Sequence, residues 1–363
     1  MDEQGGRADA YASARIDTSG ASDAVGALVQ VLSGIDPGRP ARSVVGSGHY
    51  ASVLALDDRT GVALCTDGVG TKLIVAEQAG RFDTVGIDCV AMNVNDLVCV
   101  GATPLAMVDY LAVERADPST LREIGIGLRR GAELAGIEIP GGELAQLPEM
   151  IRGHPSPHGL DLVGAAIGTV ELDRIVTGAR IEPGDVVVGL PSSGLHSNGF
   201  TLARRALFEQ GGYSLDDVPS QLGRALADEL LEPTEIYVRA VLELLDSPVN
   251  VKGLAHITGD GLLNLRRLND GVGWELTSPL PVPPVFELIR VAGGIASEAM
   301  YEAFNMGTGF CCVVGAESAG DALAVLRERY TGARQIGAVT AEAGIVSVPP
   351  AGIAGDKDGF RPL

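Results

Sequence analysis

Aromatic residues are few in this 363-residue chain: seven Phe, seven Tyr and one Trp, 4% of the total, so the 46% apolar fraction is mostly aliphatic. That fraction fits a globular protein, and the length suffices for about two domains, each with its own core. Positive charge is also short, with 27 Lys and Arg against 47 Asp and Glu and a net charge of −20. Nucleic-acid and anionic-membrane partners both need a basic surface, so the composition argues against them. A substrate bearing phosphate would need a local exception, held by a metal, a few cations and backbone N–H groups. The five cysteines are scattered and odd in number. They fit a reducing compartment better than a disulfide framework, and no pair has zinc spacing. No apolar run approaches the roughly 20 residues of a membrane span, and the acidic start is unlike a signal peptide. The expectation is a soluble, cytoplasmic protein.

What the chain does have is concentrated between Val62 and Gly101, VALCTDGVGTKLIVAEQAGRFDTVGIDCVAMNVNDLVCVG. The β-branched run from Val62 to Cys65 reads as a buried strand. It ends in Asp67-Gly68-Val69-Gly70-Thr71-Lys72, which joins a carboxylate, two permissive glycines and a cation. Asp83 reads as the N-cap of a long helix that stops near Gly101, with Pro104 beyond. On that helix Asp88, Met92 and Asn95 share a face, and Asp96 lies beside them. These residues can be surface or capping groups. Yet Val85, Ile87, Val90, Val94, Leu97 and Val98 make the helix mostly buried, and a buried carboxylate without a partner is costly. Carboxylate and amide oxygens are hard ligands suited to Mg²⁺, which usually arrives with substrate phosphates. Gly68 and Gly70 would let backbone N–H groups approach those phosphates.

Taken in order, residues 1–10 read as a disordered tail, and Tyr11 to Asp17 lead into a helix from Ser22 to Leu32. Gly46, Gly48 and His49-Tyr50 form a glycine loop that runs into a strand from Ser52 to Leu56. The order is wrong for a dinucleotide fingerprint, so the loop is either a mobile cover for a nucleotide or an ordinary turn. Leu105 to Val113 reads as a strand carrying Asp109. Asp117-Pro118 opens a helix that Gly136 ends. The strand from Ile137 to Pro140 delivers Gly141-Gly142-Glu143, a second glycine–carboxylate corner, and Leu160 to Val170 is another buried strand. The polar stretch Glu171 to Gly184 marks the boundary between an N-terminal domain, 11–172, and a C-terminal domain, 173–345, with a tail at 346–363.

In the second half, Asp185 to Leu190 reads as a parallel-type strand. It feeds Pro191-Ser192-Ser193-Gly194-Leu195-His196-Ser197-Asn198-Gly199, a loop packed with hydrogen-bonding groups, before a helix from Phe200 to Phe208. A loop in that position is where small ligands bind. Leu254 to Ile257 repeats the plan and ends in Thr258-Gly259-Asp260-Gly261. Pro284 to Gly293 and Asp321 to Tyr330 read as helices, and Thr308 to Gly315 and Gln335 to Thr340 as strands. His154 and His158 are kept off one helical face by Pro155 and Pro157, and Cys311 and Cys312 point to opposite sides of a strand. His196, among small polar neighbours, is the candidate proton carrier.

DGVGTK, GIDCVAMNVNDL, GGE, PSSGLHSNG, HITGDGLLN and MYEAFNMGTGF, in that order, resemble aminoimidazole ribonucleotide synthetase, the phosphoribosylformylglycinamidine cyclo-ligase of purine synthesis. The likeness runs from about Tyr11 to Thr340. It implies an α/β (α+β) fold of two domains: an N-terminal α/β domain whose sheet pairs across a homodimer and a C-terminal α+β domain. It also implies ATP and Mg²⁺, a ribonucleotide substrate, and phosphorylation of an amide oxygen before ring closure. Carried across, Asp67, Gly68, Gly70, Thr71, Lys72, Asp88, Asn95, Asp96, Gly141 and Gly142 fall at the nucleotide end, with Gly46 and Gly48 above it. Asp67, Asn95, Asp96 and Glu143 would hold the metal. Ser193, His196, Ser197, Asn198, Thr258 and Gly259 would face the ribonucleotide, with Lys72 and His196 as the catalytic pair. The chain departs from the family pattern at GGELAQLPE, at Asp260 in the glycine run, and at His49-Tyr50. Two other readings use the same residues: a phosphotransferase of the same superfamily, and a nucleotide-binding dimer without turnover. The glycine loop has no cysteine, unlike selenophosphate synthetase, and the end Arg361-Pro362-Leu363 lacks the terminal cysteine of the hydrogenase-maturation enzyme.

Overall fold

A computed structural model describes residues 18–363; the expected tail, 1–10, and the Tyr11–Asp17 lead lie outside the described residues. The first helix, α1 (Thr18–Leu32), contains the expected one and runs a turn further toward the N-terminus. Next, β1 (Ser43–Val45), β2 (Ser52–Ala55) and β3 (Thr60–Gly68) make an antiparallel meander. Three more strands, β4 (Thr103–Val113), β5 (Glu138–Gln146) and β6 (Leu160–Glu171), complete a six-stranded sheet in the order β1-β2-β3-β6-β4-β5. Only the β4–β5 pair is parallel, joined by the crossover helix α4 (Pro118–Ala135).

One face of this sheet is covered by helices and the other is open. Val53, Ala63, Leu162, Ala166 and Met107 point inward and are buried. They pack under α3 (Val85–Cys99), which is preceded by the short α2 (Lys72–Ala79). Helices α3 and α4 cross at near backbone contact: a methyl on Gly86 would lie 2.2 Å from the Leu128 nitrogen. The N-cap of α3 is Thr84 rather than the expected Asp83. On α4 the reading holds, with Asp117 accepting from Ser119 N at 3.0 Å and Thr120 N at 3.1 Å, Pro118 in the first turn, and left-handed Gly136 at the end.

The second domain is built on an eight-stranded sheet, β14-β13-β12-β9-β11-β7-β10-β8. Its strands include β7 (Val186–Pro191), β10 (Thr308–Val314), β8 (Val251–His256) at one edge, β11 (Arg334–Thr340) and β9 (Gly273–Glu275). β7 is antiparallel to both neighbours, so the loop after it does not sit at the end of a parallel strand as expected. The segment expected as a tail from 346 is instead β12 (Val346–Val348), β13 (Ile353–Asp356) and β14 (Gly359–Pro362). Val346 and Val348 are fully buried there, and β12 pairs with β9. Sparse strand signals among Pro and Gly hid this extension. Helices α5 (Phe200–Arg204), α6 (Leu226–Leu230), α7 (Val238–Asp246), α8 (Pro284–Gly293), α9 (Ser297–Ala303) and α10 (Ala319–Arg327) clothe the sheet. α5 continues into a π turn, Arg205–Gln210, and a 3₁₀ segment, Gly261–Arg267, follows β8.

Candidate active site between the domains

The polar face of α3 meets the second domain. The Asp88 carboxylate accepts from Thr234 N and Thr234 Oγ1, both at 2.7 Å. The Asn95 amide donates to Glu235 O at 2.8 Å and accepts from Tyr237 N at 2.9 Å. Asp96 Oδ1 lies 2.9 Å from His256 Nδ1, at the end of β8. The face read as a metal face is therefore mostly a domain junction. Asn95 has both amide atoms engaged and is fully buried. Asp96, 16% exposed, is the residue of this face that reaches the cleft.

Lys72 is also displaced from its expected place. Its ammonium is fully buried, 2.9 Å from Asp88, and donates to the carbonyls of His196 at 3.1 Å and Glu232 at 2.6 Å. Burial pulls its pKa down, opposed by Asp88. All three N–H donors are spent, so the side chain has none left for a phosphate.

Glu143 lies away from the other proposed metal ligands. Gly141, Gly142 and Glu143 lie within strand β5 rather than in a corner after it. Across the ladder Glu143 pairs with Tyr110, whose side chain is on the open face, while Asp67 shares a row with Gly164, Asp109 and Gly142. Adjacent rows point to opposite faces, so Glu143 and Asp67 are on opposite sides of the sheet. Gly142 is needed beside Asp109, because a methyl there would lie 2.4 Å from Asp109 Oδ1.

What does converge is a smaller group at the cleft. Asp67 ends β3 and Asp96 faces it from α3; burial first, and then the neighbouring Asp96 charge, push the Asp67 carboxyl upward. His256 and Arg267 lie within electrostatic reach. The glycine loop brings His49 over the same region, its pKa lowered by burial, with Asp96 and Arg267 acting on it. The Arg267 guanidinium sits 5.4 Å from the Tyr50 ring centre. Tyr50 OH in turn reaches Asn264 O at 3.4 Å, tying the loop to the second domain. Gly48 and Gly70 are left-handed, with open space where a Cβ would be. Gly68 N–H is already taken by the Asp67 carboxylate at 2.7 Å. Thr71 Oγ1 lies 3.0 Å from Thr201 Oγ1 across the junction.

The loop after β7 presents His196 and Asn198. His196 is left-handed, φ 65°, and its Nε2 accepts from Ser193 N at 3.3 Å, which leaves the proton on Nδ1. Burial holds its pKa well below 6.5, so the ring is neutral. His196 Nδ1 and Asn198 Oδ1 are buried polar atoms without a partner among the described residues. Ser193 Oγ is used on Pro233 O at 2.6 Å, and Ser197 Oγ on Thr234 at 3.0 Å. Asn264 braces the facing loop, accepting from Thr258 N at 2.7 Å and donating to Gly259 O at 3.0 Å. His256 and Arg267 are not among the residues expected from the sequence, and His49 enters there only as part of the glycine loop and a departure from the family pattern; the HITG motif held the signal for His256.

Among the described residues no three of His, Cys, Asp or Glu form a ready-made metal cage. Two carboxylates within electrostatic reach of each other still fit Mg²⁺, which binds through one or two carboxylates plus substrate phosphates.

The family model described as AIR synthase related protein, N-terminal domain, matches residues 48–170, and that of the C-terminal domain matches 182–348. A phosphoribosylformylglycinamidine cyclo-ligase of Methanothermobacter thermautotrophicus is 50% identical over 298 residues, 82% of this chain and 85% of that protein. The chain belongs to the AIR synthetase family. A protein of the same name from Thermococcus gammatolerans is 49% identical over 309 residues, 85% of this chain and 87% of its own. Proteins of known structure share the fold at lower identity. The thiamine-monophosphate kinase of Stenotrophomonas maltophilia has a TM-score of 0.59 and 22% identity, covering 85% of this chain and 91% of its own. The hydrogenase maturation protein HypE in complex with ATP has a TM-score of 0.56 and 21% identity, covering 83% and 84%.

Proposed function

We propose that the protein is an ATP-dependent cyclo-ligase that closes formylglycinamidine ribonucleotide to aminoimidazole ribonucleotide, releasing ADP and phosphate. The observation that carries this reading is Asp67 and Asp96 within electrostatic reach of each other at the junction where Asp96 meets His256, in a chain about half identical to proteins of that name. An amide carbon is a poor electrophile until its oxygen becomes a leaving group. The γ-phosphoryl of ATP passes to that oxygen, the amidine-side nitrogen closes the ring, and phosphate departs. Phosphoryl transfer asks a protein mainly for alignment and charge neutralisation.

Asp67 and Asp96 would hold magnesium, which supplies charge neutralisation at the triphosphate when bound. His256 fixes the Asp96 carboxylate from behind, at 2.9 Å. Gly70 and Thr71 shape the turn beneath the phosphates, and the Gly46–Gly48 loop covers them. Asn198, Thr258 and Gly259 take the ribonucleotide. With its proton on Nδ1, His196 serves there as a hydrogen-bond donor rather than a base. Two copies pair through the open sheet face, where Leu54, Leu64, Val108, Tyr110 and Ile167 are each 40–47% exposed. A groove of about 560 Å³ between Val108, Tyr110 and Val163 lies on the same face. The cytoplasm is the proposed location; among the described residues no helix is long and apolar enough to cross a membrane.

Purified protein with Mg-ATP and formylglycinamidine ribonucleotide tests the reading, following ADP and the aminoimidazole together. Equal amounts of both support it. ADP released only with a different acceptor points to the phosphotransferase, and tight ATP binding without ADP points to a silent binding protein.

A further inference from the structure

Lys72 begins α2 directly after the Asp67–Thr71 turn, yet its ammonium ends at the junction with the second domain. There it meets Asp88, with 2.9 Å to either carboxylate oxygen, and donates to His196 O and Glu232 O. Asp88 in turn accepts from Thr234 N and Oγ1 at 2.7 Å and from Ser197 Oγ at 3.3 Å. Both charged side chains are 0% exposed. Two residues of the first domain thus hold backbone or side-chain groups of residues 196, 197, 232 and 234.

We propose that Lys72 and Asp88 are a positioning pair: a buried latch that pins the His196 carbonyl, and with it the 192–199 loop, to the domain carrying the nucleotide turn. A buried ion pair is weak evidence for net stability, because desolvation offsets attraction, and holding one geometry is its better attested use. The geometry here supports that use. His196 occupies a left-handed conformation that a non-glycine residue adopts only when its surroundings impose it. Lys72 holds its carbonyl, Ser193 N–H holds its ring, and Asn305 Nδ2 holds Gly194 O at 2.9 Å and Leu195 O at 3.2 Å. The latch is the part of that bracing that comes from the other domain. Its consequence is that the nucleotide turn and the ribonucleotide loop keep a common register.

This inference rests on the cyclo-ligase reading for its kinetic arm, but its exchange arm is independent of it. Removing one partner leaves an unpaired buried charge and risks the whole fold, so the test is the neutral pair Lys72→Met with Asp88→Asn, alongside the milder Thr234→Val. Amide hydrogen exchange in residues 192–199 should quicken at least tenfold in the double variant, with the β4 and β6 amides unchanged. Mg-ATP affinity by calorimetry should stay within threefold of the parent. kcat should fall at least tenfold and the ribonucleotide KM should rise, with Thr234→Val between the two proteins. Wild-type exchange in the loop, or a tenfold loss of ATP affinity, overturns the latch. If the parent itself forms no aminoimidazole, the cyclo-ligase reading fails, while the exchange result still decides the latch.

Discussion

Asp67 and Asp96 are partly buried carboxylates within electrostatic reach of each other, an arrangement that a protein tolerates where a cation or a ligand offsets it. Asp96→Asn should therefore lower turnover by about 100-fold, the order expected for losing an electrostatic stabiliser of the transferring group. The melting temperature should hold or rise, which calorimetry on the ligand-free protein would check. Histidine burial gives a second residue-scale expectation. Both His49 and His196 have pKa values lowered by burial, so each stays neutral in the folded chain below the pH at which it protonates in the unfolded one. Their contribution to stability is present above pH ~6.5 and is lost as pH falls toward their folded values, by up to about 1.4 kcal/mol per pH unit for each. Scanning calorimetry between pH 7.5 and about pH 5 should show that His49→Gln flattens this decline; an unchanged slope removes His49 from the account.

At the scale of elements, the site depends on where α3 lies, because that helix carries Asp88, Asn95 and Asp96 together. Its distance from α4 is set by glycine against backbone: Gly86 faces Leu128 N and Ile124 O, and Gly127 faces Asp83 O. Gly86→Ala has no flexible side chain to push aside, so overpacking should cost about 2–3 kcal/mol, read as a shift in the urea midpoint. Activity should fall further than stability alone explains, because Asp96 moves with the helix. β12, β13 and β14 raise a different expectation. Ending the chain at Gly344 removes three strands and exposes the edge of β9, so the truncated protein should fail to accumulate in soluble form.

For the whole molecule, the open sheet face and the Asp67–Asp96 group lie on opposite sides of the first domain's sheet. The proposed function puts ligand on the helix-covered side and a second copy on the open face, with its aliphatic rows. Light scattering should give twice 37.4 kDa for the parent, and Val108→Asp with Ile167→Asp should give 37.4 kDa. Loss of the dimer without loss of ATP binding would place the nucleotide within one chain. Loss of both would mean that Glu143, which lies on the open face, completes the site across the interface.

Local chemistry made much of this protein legible in the chain itself. Proline, glycine and capping residues marked the start and end of α4, apolar runs marked β3, β4 and β6, and the order of short motifs carried the family. What the chain could not show was which polar residues would meet one another. Asn95 and Lys72 look like ligands to phosphate and metal when their neighbours in sequence are considered, because carboxylate, amide and ammonium groups have that chemistry anywhere. Only the docking of the second domain onto α3 turned them into junction residues, by bringing backbone carbonyls and amides from residues 196 and 232–237 within hydrogen-bond reach. Likewise, the residue type of Glu143 was plain, but its side of the sheet depended on strand register. A shift of one residue along β5 would have put it with Asp67.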